Sequence, residues 1–417
     1  MRVAIIGTGV SGLVCAHHLR RDHPAHDLTL FEADDRIGGH ANTVRVDLDD
    51  ETHHVDTGFI VYNERNYPVF THLLAELGVQ TQPSDMSLAV QDERTGIEWG
   101  TSPARLFSQR RNLARPGFVA MVGEILRWNR LGTRLLLDPD ADLLEAVGDV
   151  LARHHFSRRF LEWYLVPMAA AIWSADPTTV DRFPVGPLCR FLQNHGLLSL
   201  GDRPAWRTIT GGSRSYVDAL TGPLAGRIRT SSPVAKVSRH ANGIDVLTPA
   251  GVETFDRVVM ALHSDQALDL LADPDATERD VLGALRYQAN VATLHTDVRM
   301  LPRNRRTWAS WNVQVLPGDQ RAVTMTYHMN RLQSLASRHE LCVTLNRHDE
   351  IDKATVLARF DYAHPVYDAA AVRAQRRRAE LQGRGGLFWA GAYWGFGFHE
   401  DGARSGLEVA RLIGAGR

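Results

Sequence analysis

Gly7, Gly9 and Gly12 are spaced Gly-x-Gly-x-x-Gly, and Glu32 stands twenty residues beyond the last of them. That pattern suits a dinucleotide. The first glycine permits a tight turn, Gly9 lets the backbone approach a pyrophosphate, and Gly12 lets a helix pack close on a strand. N–H groups at the helix start, around Val10 and Ser11, and the helix dipole would hold phosphate charge. Glu32, followed by Ala33, would accept hydrogen bonds from the adenosine ribose. The alternative is a glycine turn with an incidental surface glutamate. The context argues against it, because Val3 to Ile6 reads as a buried strand and the residues after Gly12 as a helix to about Arg21. Leu28 to Phe31 then reads as a second strand ending at Glu32.

Other reactive side chains are less telling. His17-His18 and His53-His54 lack carboxylate or thiolate company at ligand spacing, so no metal is expected. Cys15, Cys189 and Cys342 lie far apart with no CxxC, which favours a reducing compartment. His195 is a functional candidate, whereas Trp173 reads as packing.

The elements that must position these groups begin with the opening β-α-β of a doubly wound sheet. Phe70, Leu73, Leu74 and Leu77 are helically spaced between Pro68 and Gly78. From about Gln82 to Pro204 helical patterns dominate, including an amphipathic stretch from Pro116 to Leu131 with Phe118, Val119, Val122, Ile125 and Leu126 on one side. Strand patterns return at Ile228 to Val237, Gly243 to Leu247, Arg257 to Ala261, Asn290 to Thr296 and Ala322 to Tyr327. Gly386 to Ala390 reads as a last strand and Gly402 to Ile413 as a last helix. The sheet is visited early, midway and late. We therefore expect a discontinuous α/β Rossmann-type domain over residues 1–80, 205–264 and 384–417, interleaved with an α+β substrate domain over 81–204 and 265–383.

The length of 417 residues suits two domains, with an ordinary 44% hydrophobic and 23% charged content. A net charge of -1 provides no basic field for nucleic acid. The apolar stretch Tyr164 to Trp173 is broken by Pro167 and too short to span a bilayer. The chain opens directly on a strand and turn, so no leader is expected and the expected location is cytoplasmic. No internal repeat is visible.

Beyond Glu32 the chain runs Ala33-Asp34-Asp35-Arg36-Ile37-Gly38-Gly39-His40, then Asp56-Thr57-Gly58. With Gly211-Gly212-Ser213 midway and Phe388-Trp389-Ala390-Gly391-Ala392 late, it resembles the flavin-containing amine oxidase superfamily. The run His399-Glu400-Asp401-Gly402-Ala403 resembles that family's final helix start, whose backbone N–H groups face the flavin. The resemblance implies FAD, held non-covalently, with the Gly38-Gly39 doublet along the pyrophosphate and Val234 against the adenine. The family usually carries arginine where His40 stands. By the same resemblance Tyr393 and Trp394 would wall the isoalloxazine, His399 would shuttle a proton, and Tyr62 and Asn63 would line the pocket.

The runs Gly38 to Val44 and Asp56 to Asn63, with Pro83 to Ser87 and Glu98-Trp99-Gly100, also resemble the flavin-binding N-terminal domain of plant cyclopropane fatty acid synthases and its bacterial stand-alone relatives. That likeness implies an FAD-dependent oxidoreductase taking a hydride from an apolar substrate such as a lipid acyl chain. The alternatives are a redox-neutral flavin isomerase and an accessory module partnering a lipid methyltransferase. No second Gly-x-Gly-x-x-Gly opens a helix, so NAD(P)H is not an expected donor. Lys236 and Lys353 are the only lysines, so the lysine that holds a water near the flavin in many amine oxidases is missing from the strand near Asn290 to His295. This argues against ordinary amine oxidation. Seven arginines from Arg105 to Arg134 against the single acid Glu124 suggest peripheral contact with the inner face of a membrane.

Overall fold

Alternate residues of the first strand serve two apolar layers, as the period-two geometry of a strand requires. In Arg2–Ile6, Val3 and Ile5 join one core while Ala4 and Ile6 join another; Phe388 and Trp389 divide in the same way. The computed structural model describes residues 1–173, 177–199, 201, 203–317 and 324–416. Five parallel strands lie in the order Ile228–Arg229, Asp27–Phe31, Arg2–Ile6, Arg257–Met260, Leu387–Trp389. One face carries the helices Val10–Asp22, Arg214–Thr221 and His399–Gly414. The other carries an antiparallel meander of Lys236–His240, Gly243–Thr248 and Gly251–Phe255. This is the α/β Rossmann-type arrangement expected from the sequence.

A second, mixed sheet has seven strands in the order Val356–Pro365, Tyr287–His295, Cys342–Leu345, Thr324–His328, Trp311–Val315, Leu88–Asp92, Ile97–Gly100. Only Trp311–Val315 and Leu88–Asp92 pair in parallel. The helices between residues 103 and 194 pack on this sheet around the largest apolar core, which contains Trp99, Trp128 and Phe160.

Several elements differ from expectation. The single strand expected from Ile228 to Val237 is two strands in two sheets. Ser231 takes a left-handed φ of 50° and the chain turns there, Ser231 and Ser232 N–H donating to the Asp34 and Glu32 carbonyls. The hairpin Leu88–Asp92 and Ile97–Gly100 lies within the stretch that reads as helical. Both strands are buried on both faces, and Gln91, Asp92 and Glu98 erase any alternation. The amphipathic helix runs from Pro116 to Leu137, and its expected stripe is divided: Phe118 is buried while Val119 and Leu126 face solvent. Ala322 and Val323, expected to begin a strand, lie outside the described residues.

Candidate cofactor and substrate site

Helix Val10–Asp22 starts at Gly9, directly after the first strand. Gly7 has φ +100°, and a side chain there would collide with the Ala261 carbonyl; one at Gly12 would collide with the Gly7 carbonyl. Gly9 differs: a Cβ there would meet no protein atom within 4 Å. The space before the helix N-terminus is therefore open, which is the condition a diphosphate needs. Ser11 is buried under the final helix, where Gly402 and Gly406 permit close crossing.

Glu32 ends the second strand. Its carboxylate accepts from Thr8 N at 3.1 Å, Thr8 Oγ1 and Asp34 N at 3.1 Å. These bonds brace the acid beside the glycine turn. The segment leading to Val234 passes next to it, since Ser232 N donates to Glu32 O at 2.8 Å. Val234 packs at the edge of the meander-side core, whereas Ala33 is exposed. Arg36 donates to Gly39 O at 2.8 Å and to Ala41 O at 3.3 Å, and so braces the Gly38-Gly39 doublet. Gly39 in turn lies against Gly9, where a Cβ would come 3.1 Å from the Gly9 Cα. Gly58 packs under His40, whose carbonyl accepts from Phe59 N at 2.8 Å.

Three imidazoles meet beside this turn. The His40 ring lies 4.9 Å from Tyr362, 5.6 Å from His364 and 6.0 Å from His263. His40 Nε2 is buried without a partner. Burial, and for His40 also His263 and Arg36, pushes His40 and His263 down to about 4; burial and then His40 push His364 down to about 3. All three are therefore neutral at physiological pH. His40, His263, Tyr362 and His364 lie deep, yet each keeps partial accessibility, as do Gly9, Gly39, Gly58 and Phe59. Together they cluster beside the glycine turn. An open helix N-terminus, a braced acid at the end of the second strand and a buried imidazole nitrogen without a partner together fit a dinucleotide cofactor.

Phe59 links this cluster to helix His399–Gly414 by stacking on His399, and the first-turn N–H groups of that helix lack intrahelical acceptors. Glu400 turns away from that end, its carboxylate capping helix Pro68–Glu76 through Val69 N at 3.1 Å and Phe70 N at 2.9 Å. Asp401 reaches back to Phe396 N at 2.9 Å and Phe398 N at 3.1 Å. Both side chains serve structure, which leaves the backbone as the part of the helix start free for a cofactor. Ala403 is buried, and Gly391 N donates to Ser405 Oγ at 3.0 Å, tying the last strand to this helix.

His399 stands where the sequence puts it but is not poised to titrate. Its ring stacks on Phe59 at 3.7 Å, Tyr216 Oη pairs with its Nε2 at 2.6 Å, and burial followed by His40 pushes it down to about 3. A neutral imidazole fits a positioning role better than a proton shuttle. Tyr393 and Trp394 join the core on the meander side of the sheet, where Trp394 Nε1 donates to Trp389 O at 3.2 Å. That placement favours packing over walling a flavin. Tyr62 and Asn63 are buried in a short strand paired with Trp206–Ile209. His195, by contrast, lies among aromatic rings. Its ring stacks on Phe191 at 3.9 Å and Trp206 at 5.6 Å, and burial lowers it to about 4.

These rings continue into an aromatic wall. Phe191 lies 5.2 Å from Phe398 and 4.9 Å from Trp173, and Trp173 Nε1 donates to Phe396 O at 3.3 Å. The wall thus abuts the start of the final helix. His17 and His53, read as bland, pair with Glu76 and Glu51.

Four groups escaped the sequence reading. Tyr362 and His364 project at i, i+2 from a strand whose mixed composition hides its period. Asn290 donates to His364 Nδ1 at 3.1 Å and accepts from Asn346 Nδ2 at 2.7 Å. Asp56, visible only as part of Asp-Thr-Gly, is a buried hub accepting from Thr43, Ser213 and Gln333.

The family described as flavin containing amine oxidoreductase matches residues 10–327. A Mycobacterium tuberculosis protein assigned as a flavin-containing monoamine oxidase is 25% identical over 65% of this chain and 59% of its own length, so the chain spans about three fifths of that curated relative. The crystal structure of cyclohexylamine oxidase from Brevibacterium oxydans superposes with TM-score 0.71 at 14% identity, covering 100% of this chain and 99% of that one. A fatty acid isomerase from P. acnes superposes equally, with TM-score 0.71 at 16% identity over 99% and 98% of the two chains.

Proposed function

The chain belongs to the family of flavin-containing amine oxidoreductases and binds FAD, and from that membership we propose that it is an oxidoreductase taking a hydride from an apolar substrate, with a lipid acyl chain as the leading candidate. The observation that carries this reading is the aromatic wall. Trp173, Phe191, Trp206, Phe396 and Phe398 form a run of ring contacts that ends at the start of the final helix, and the histidine among them is neutral. Such a wall offers apolar surface to an acyl chain.

FAD supplies the hydride acceptor when bound. The chain's own work is placement: the glycine turn and Glu32 hold the dinucleotide end, and the first-turn N–H groups of the final helix favour negative charge at the other. The strand Tyr287–His295 offers no ammonium group; Asn290 with His364 provides a neutral pair there. That supports a reaction other than simple amine oxidation, and so does the resemblance to the flavin domain of cyclopropane fatty acid synthases.

A redox-neutral isomerase is the second reading. The fatty acid isomerase with the same fold supports it. Anaerobic titration separates the two. An oxidoreductase shows lasting flavin bleaching with lipid extracts, an isomerase converts substrate without net bleaching, and rapid bleaching by simple mono- or polyamines would overturn both.

A further inference from the structure

The described residues include eleven large hydrophobic side chains that face solvent, and five of them fall between residues 107 and 137. They are Phe107, Leu113, Val119, Leu126 and Leu137, with exposures of 38%, 58%, 50%, 38% and 76%. On the helix Pro116–Leu137, Val119, Leu126 and Leu137 fall within roughly 20° of one line, as seven- and eleven-residue spacings dictate. The inner face of the same helix is fully occupied by Phe118, Met121, Trp128 and Gly132. The outer stripe is therefore not spare core. It stays exposed among the described residues.

The charge around this stripe is one-sided. Arg110, Arg130 and Arg134 are exposed and have no carboxylate partner among the described residues. The single acid of this stretch, Glu124, accepts from Ser157 N and Oγ, each at 2.7 Å, and pairs with Arg127 at 3.7 Å. Arg127 is held by the His155 carbonyl at 2.9 Å and by the Phe156 ring at 4.1 Å. Acids resume only at Asp138, Asp140 and Asp142, which sets the limit of the patch just past Leu137.

We propose that this face, centred on Val119 and Leu126 and flanked by Arg110, Arg130 and Arg134, docks on the surface of a bilayer rich in anionic lipid. An in-plane helix is stabilised in this way, apolar side chains entering the headgroup boundary and arginines meeting phosphates. Location relative to the site makes the contact useful. Gly132, on the inner side, packs against Cys189 and Leu198, so the next layer inward is helix Val185–Asn194, which carries Phe191 of the aromatic wall. The helix itself and helix Val185–Asn194, roughly two helix diameters or about 20 Å, separate the bilayer contact from that wall. The inference concerns the surface alone and stands whichever substrate is found.

The test uses the FAD-loaded protein sedimented with vesicles, either of neutral phosphatidylcholine or with a third of the lipid replaced by phosphatidylglycerol. Binding should need the anionic lipid and fade as salt rises from low to physiological strength. Arg110→Gln, Arg130→Gln and Arg134→Gln together should weaken partitioning by roughly a hundredfold, about fivefold for each charge. Val119→Glu with Leu126→Glu should abolish binding, whereas Val252→Glu, equally exposed on the distant meander, should leave it unchanged. An unaltered flavin spectrum and Tm would show that each variant is folded. Protein that stays in the supernatant with anionic vesicles at low salt overturns the proposal, as does binding that survives both variant sets. Self-association broken by Val119→Glu and Leu126→Glu, without vesicle binding, would instead identify a second copy as the occupant.

Discussion

Asp56 and Gln333 clasp each other twice: the Gln333 Nε2 donates to Asp56 Oδ2 at 3.0 Å, and the Asp56 backbone N–H donates to Gln333 Oε1 at 2.8 Å. Asp56 precedes the Thr57-Gly58 turn under His40, and Gln333 follows a helix packed on the second sheet. The same carboxylate accepts from Thr43 Oγ1 at 2.6 Å and Ser213 N at 2.9 Å. One buried acid thus joins the flavin-side loops to the substrate side.

Gln333→Leu should therefore destabilise the protein by about 1–3 kcal/mol, because it leaves the buried Asp56 N–H without a partner and removes one of the two donors to its Oδ2. Asp56→Asn tests the charge. Burial pushes Asp56 up to about 6, so the folded state holds this proton more tightly than the unfolded chain. That contribution is full below the ordinary carboxylate range and is lost as pH rises through about 6. It amounts to roughly 3 kcal/mol. The Asn variant lacks this loss, so its melting temperature should gain on the wild type as pH rises from about 4 to 6. Parallel melting curves at every pH would refute the assignment.

Gly9→Ala and Gly12→Ala should part company. A methyl at Gly9 meets no protein atom, and its φ of -68° suits any residue. The apoprotein should melt unchanged while FAD affinity falls at least about tenfold, the methyl standing where a phosphate must come. A methyl at Gly12 collides with the Gly7 carbonyl, so that variant should lose about 1–3 kcal/mol of stability. Calorimetry of the apoproteins and flavin fluorescence titration read the two effects separately.

His399 should contribute no ionisation between about pH 5 and 8, since burial holds it neutral with its Nε2 paired to Tyr216. His399→Gln should keep a hydrogen-bonding partner for Tyr216 and leave the shape of any pH–rate profile unchanged. A titrating imidazole would instead lose one limb of that profile in the variant. Tyr216→Phe should cost about 1 kcal/mol through the lost hydrogen bond.

The cofactor end was legible in the sequence because its demands are local. Gly7, Gly9 and Gly12 answer to backbone approach within one turn, and Glu32 to the end of the next strand. The substrate end is assembled from residues distant in sequence. Phe191 and Phe398 meet 5.2 Å apart across more than two hundred residues, and nothing in local spacing announces it. Strand Val356–Pro365 was missed because it alternates charged and aromatic residues at half-exposed positions. Tyr393 illustrates the converse: motif position put it beside the cofactor, but which way a turn directs a ring is decided by packing, here against the meander side.

His40 supports the last prediction. Gly39 rests on Gly9, so the next residue stands beside the helix start that takes the diphosphate. Arg36, His263, His364, His399 and Tyr362 surround His40, and in the free protein the four imidazoles are neutral. A diphosphate favours the charged imidazole, so FAD binding should take up a proton and tighten as pH falls from about 8 to 6, by up to tenfold per unit. Below that range the free protein weakens. A depressed imidazole pKa gives stability that is present above about 6.5 and lost as pH falls toward about 4. The measurement thus belongs between those limits. His40→Arg supplies the charge permanently, so it should bind FAD roughly ten- to a hundredfold more tightly at pH near 8 and show little pH dependence. Fluorescence titrations of both proteins across this range decide it. A slope in the Arg variant as steep as that of the wild type would move the proton to another member of the cluster.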